Sequence, residues 1–222
     1  ALKCLCAAPD TRPHLFSDGA VELLVRICGI EGLDAGVAAH AVSALVTLAN
    51  DTEKRADVVR SGAVSSLIRL CHVTEAAGSG NGSGSSRAEL DAASLETSHF
   101  ATAALANLAA DGGSRAQIVK EGAAEALVLR LREATSTNDV GGDVPAQAHA
   151  TRALAELARA DDLRAGLVQA GAVEALTPLL LSLEIGSTAS GRESHKEVSD
   201  RADAAALSLQ RDGEVLANCI DS

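Results

Sequence analysis

The sequence predicts an all-α solenoid of stacked three-helix repeats. Three observations point there: one phrase written four times, a composition dominated by strong helix formers, and apolar positions spaced three and four apart. The phrase reads "SDGAVELLVRI" at 17–27, "RSGAVSSLIRL" at 60–70, "KEGAAEALVLR" at 120–130 and "QAGAVEALTPL" at 169–179. Hydrophobic residues make up 47% of the 222, yet there are only two Phe and no Trp, Tyr or Met. A core of Ala, Leu and Val is built by close backbone approach of helices rather than by large rings. Ala and Leu favour helix, and Pro is nearly absent.

Self-similarity at a fixed period governs every later reading of such a chain. Each copy opens on the Ala of an A-L-x-x-L box, at Ala1, Ala44, Ala104 and Ala153. Eleven residues on stand Arg12, Arg55, Arg115 and Arg164, and eighteen on stand Gly19, Gly62, Gly122 and Gly171. A weaker fifth copy starts at Ala205, with Leu209, Cys219 and Ile220 in phase.

Each block has a physical role. The box forms the last turns of one helix, its Ala and Leu facing inward. "ANDTEKR", "AADGGSR" and "ARADDLR" end that helix with residues suited to turns and caps. A short helix follows, as in "RADVVRSG", and its Gly is placed to terminate it in the left-handed conformation. The next helix has one buried face: Val64, Leu67, Ile68 and Cys71, and likewise Val21, Leu24, Val25 and Cys28. A variable connection leads to a third helix that ends in the next box. The recurring Arg is expected to reach a carbonyl or carboxylate across the repeat junction. Pro178, inside the last repeat's second helix, is expected to kink or shorten it.

This pattern resembles the armadillo repeat, which commonly reads A-L-x-N-L-A and then I-V-x-x-G-A-I-x-x-L-V-x-L-L. The segment "ALANLAADGGSRAQIVKEGAAEALVLRL", 104–131, matches it best. HEAT repeats are the nearest rival, but they usually have two helices and lack this Gly. The resemblance covers almost the whole chain and implies a right-handed superhelix. Its units are a partial repeat at 1–18, repeats at about 19–61, 62–121 and 122–170, and a partial repeat at 171–222, forming one domain. Because the first box starts at Ala1, an excerpt of a longer array is expected.

Armadillo third helices line a concave groove, so the resemblance implies one here. The family's Asn ladder, whose amides both donate to and accept from a bound peptide backbone, falls at Cys4, Thr47, Asn107, Glu156 and Ser208; only Asn107 matches. Four residues earlier, where import receptors often place Trp, stand Ser43, Ala103, Arg152 and Ala204. Without aromatic walls there is no cradle for Lys or Arg stems. That counts against a nuclear-localisation-signal receptor of the usual kind. Seven before the ladder lie His40, Phe100, His149 and Arg201. The candidate groove is therefore His40, Thr47, Phe100, Asn107, His149, Arg152, Glu156 and Arg201, with Arg152 and Glu156 also spaced to pair with each other.

Copy-to-copy distances of 43, 60, 49 and 52 exceed the family's length of about 42 residues. All the excess lies between a Gly and the next box. The longest insertion, 73–95, holds a Gly/Ser tract expected to be flexible coil. "STNDVGGDVP" and "EIGSTASGRESHKEVS" occupy the equivalent places. Two readings stand open: a shared contact surface, or lengthening tolerated because surface loops are entropically cheap to extend.

Composition narrows the function. A net charge of −11 leaves no Lys/Arg stripe for nucleic-acid phosphate. It suits either solubility or attraction of a basic segment of another protein. No apolar run of 18 residues spans a membrane. The five Cys form no CxxC pair and lack ligand spacing. Cys28 and Cys71 stand where other copies carry Leu131 and Leu180, so they read as small buried hydrophobes in a reducing compartment, cytoplasmic or nuclear. "NDT" at Asn50 and "NGS" at Asn81 fit the glycosylation pattern, which matters only in a secreted chain.

No metal motif, catalytic Ser/His/Asp context or nucleotide loop appears, and "GSGNGSGSS" lacks the Lys and preceding strand of a phosphate loop. We expect no cofactor, no metal, no small-molecule substrate and no catalysis. The sequence-level reading is a protein-protein interaction scaffold holding a partner peptide or helix in the third-helix groove. Its alternatives are a substrate-recruiting region of a larger enzyme, such as a ubiquitin ligase, and a structural spacer in a longer array.

Overall fold

The computed structural model describes residues 6, 12–30, 32–72, 87–136 and 143–186. Every regular element among them is an α-helix, and the chain divides into two compact units, 1–114 and 115–222. The first unit holds α1 (Arg12–Ser17), α2 (Ala20–Cys28), α3 (Ala35–Ala49), α4 (Arg55–Arg60), α5 (Ala63–Cys71) and α6 (Arg87–Ala109). The second holds α7 (Arg115–Lys120), α8 (Ala123–Ser136), α9 (Val144–Ala158), α10 (Asp161–Gln169) and α11 (Ala172–Gly186). The order short, middle, third recurs, as the repeat requires.

Within each unit, like packs on like. In the first, middle helix α2 lies against middle helix α5, and third helix α3 against third helix α6. In the second, middle helix α8 lies against middle helix α11. This nearest-neighbour stacking is what makes a helical repeat a solenoid.

The two helix types are buried differently. Middle helices α2 and α5 bury one face, Val21, Leu24 and Cys28 or Val64, Leu67 and Cys71, while Val25 and Ile68 are only half-buried. Third helix α3 buries Ala38, Ala39, Ala41, Val42, Ser43, Ala44 and Leu45 almost without a break. A helix buried nearly all round is enclosed by neighbours on most sides. Small Ala side chains let those neighbours come close.

The recurring Gly is left-handed in all four places, from φ 75° at Gly19 to 91° at Gly122. At Gly62 the N–H closes the short helix on the Val59 carbonyl at 3.1 Å, and α5 begins at the next residue. One residue thus ends one helix and starts another, and a Cβ there would be strained.

Third helices are tied to their own repeat by polar staples. Ser98, fully buried on α6, donates to the Cys71 carbonyl at the end of α5. Gln147, at the same repeat phase on α9, donates from Nε2 to the Ala134 carbonyl of α8 at 3.0 Å. Both satisfy carbonyls in the last turn of a middle helix.

Two expectations need correction. Helix α6 begins at Arg87, so part of the 73–95 insertion is helical rather than coil. "RAELDAAS" is rich in helix formers. The Gly/Ser tract, the box at Ala1 and the copy at Ala205 lie outside the described residues. Helix α11 is not shortened at Pro178 but runs on to Gly186. Ala175, Leu176 and Leu179 are buried around the proline, so packing sustains the helix across the missing hydrogen bond.

Asp34 and Asp143 cap α3 and α9, accepting from Val37 N at 3.1 Å and Ala146 N at 3.2 Å. Asp143 also neutralises a buried cation, since its Oδ2 lies 2.6 Å from Nη2 of Arg130, a side chain only 3% exposed. Asp34→Ala is therefore expected to lose about 1 kcal/mol of stability, the value of a cap. Asp143→Ala is expected to lose about 3 kcal/mol, because a buried guanidinium loses its closest carboxylate. Urea unfolding of the two variants measures the difference.

Candidate functional site

The ladder and its neighbouring turn are half-buried or exposed on the described third helices α3, α6 and α9. In the first unit, His40 is exposed and its Nδ1 lies 2.6 Å from the Gly36 carbonyl. Thr47 Oγ1 donates to the Ser43 carbonyl at 3.0 Å, within its own helix. Phe100 and Asn107, on α6, are both half-buried. The Asn107 amide donates from Nδ2 to Oδ1 of Asn50 at 2.7 Å, joining the ends of α3 and α6.

In the second unit, His149, Arg152 and Glu156 are half-buried on α9, and Arg201 lies outside the described residues. Glu156 Oε2 accepts from Nη2 of Arg115 at 3.2 Å and from Nη1 of Arg159 at 3.3 Å. The carboxylate thus reaches both off its own helix and along it. Arg115 is 14% exposed in this pair and Arg159 68%, so one guanidinium is anchored and the other open to solvent.

The structure thus brings each of two ladder residues against a neighbour that sequence spacing alone did not place there. Asn50 read as a helix-ending turn residue and as part of a glycosylation triplet, whereas Arg115 was expected to reach a carbonyl or carboxylate across the repeat junction and does so at Glu156. The signal for Asn50 was its position, six residues after the box Ala and three after the ladder. Arg55 Nε donates to the Ala49 carbonyl at 2.9 Å and Arg164 Nε to the Ala158 carbonyl at 2.7 Å, each within its own repeat rather than across the junction. Each ties a short helix back to the end of a box.

Cys6, Cys28 and Cys71 are buried. Burial pushes the Cys28 thiol up to about 11, against the Arg69 guanidinium and a backbone hydrogen bond, which lower it. It behaves as a core hydrophobe. Among the described residues no three His, Cys, Asp or Glu gather in a way that would hold a metal ion, and no helix is long and apolar enough to cross a membrane.

The fold is that of an all-α helical-repeat protein. No protein-family model and no curated protein matches the chain. Among solved structures it is similar to the crystal structure of an engineered protein, with 27% identity and a TM-score of 0.69, covering 95% of this chain and 71% of that one. A second is an armadillo-repeats-only protein from Plasmodium falciparum, with 13% identity and a TM-score of 0.49, covering 89% of this chain and 95% of that one.

Because the folded Cys28 thiol ionises near 11 and its unfolded counterpart near 9, only the unfolded state sheds the proton between those values. Stability attached to this thiol is complete below pH 9 and declines as pH rises towards 11. Brief iodoacetamide treatment at pH 8 followed by peptide mass spectrometry should leave Cys28 and Cys71 unlabelled in the native chain and label both in urea.

Proposed function

We propose that this chain is a non-catalytic recognition scaffold of the armadillo type, which holds an extended or helical segment of another protein on its third-helix faces. The observation that carries the reading is the state of the ladder positions. Asn107 and Glu156 stand on the most thoroughly packed helices, yet their side chains lie at the surface and end in hydrogen-bonding groups. Rigid backbone beneath adaptable polar tips is what peptide recognition needs, since little is lost in ordering the receptor. The Asn50–Asn107 pair can open to let one amide donate to and accept from a peptide backbone.

The partner is a protein segment rather than nucleic acid or a small molecule. The overall charge of −11 disfavours phosphate backbones. The five Cys without disulfide or ligand spacing favour a reducing compartment, cytoplasm or nucleus, as the place of work.

Peptides selected from a displayed random library on the immobilised chain test this directly. Calorimetric titration of the selected peptides should show binding at least about tenfold weaker to the Asn107→Ala, Arg152→Ala double variant, the scale of one lost charge-assisted hydrogen bond. Circular dichroism confirms that the variant is folded. Equal affinities, or a library that yields no binder, contradict the proposal.

A further inference from the structure

We draw no further inference here: the strongest candidate, the cleft between α1, α2 and α4 lined by Phe16, Val21, Glu22, Asp57, Arg60 and Ser61, carries nothing, because its Asp57 already pairs with Lys54 and Arg60 and nothing in the structure shows what covers it.

Discussion

Each of the three described A-L-x-x-L-A boxes is taken out of water completely. Ala44, Leu45, Leu48 and Ala49 have no exposure, nor do their counterparts Ala104, Leu105, Leu108 and Ala109, or Ala153, Leu154, Leu157 and Ala158. Each Leu contributes about 2 kcal/mol by burial, and each Ala contributes closeness, since a larger side chain would hold the helices apart. The fold has no aromatic layer to fill wider gaps, so the rest of the structure depends on this tight seam. The left-handed glycines, the arginines that close on box carbonyls and the Ser98 and Gln147 staples all bring elements up to it.

What was legible in the sequence was whatever repeats. The box, the glycine at offset eighteen and the arginine at offset eleven recur because each copy must solve the same local problem, and each appears in the structure with the role its chemistry suggests. What was not legible is solved once. The Arg130–Asp143 pair joins a middle helix to a residue within one repeat's insertion, and the other copies carry Ile27, Leu70 and Leu179 at the phase of Arg130, so no second copy advertised it. Ser98 and Gln147 share a phase, but the third copy has Ala38 there, and unlike residue types concealed a common function. Pro178 misled for another reason: local propensity argued for a shortened helix, which tertiary burial carries past the proline.

The candidate face divides in the same way. Asn107 and Glu156 could be located by counting from the box, because a ladder is a periodic feature. Their partners could not, since Asn50 and Arg115 lie 57 and 41 residues away and meet them only once the helices are stacked.

The dependence of the fold on close approach at the box is tested most directly by Ala104→Leu, followed by urea unfolding. Ala104 is wholly buried on α6, and a larger side chain there must push α6 from its neighbours. A seam this tight should lose about 1–3 kcal/mol despite the added apolar surface. Unchanged or increased stability would mean that the seam has room to spare, and would contradict its place at the centre of the fold.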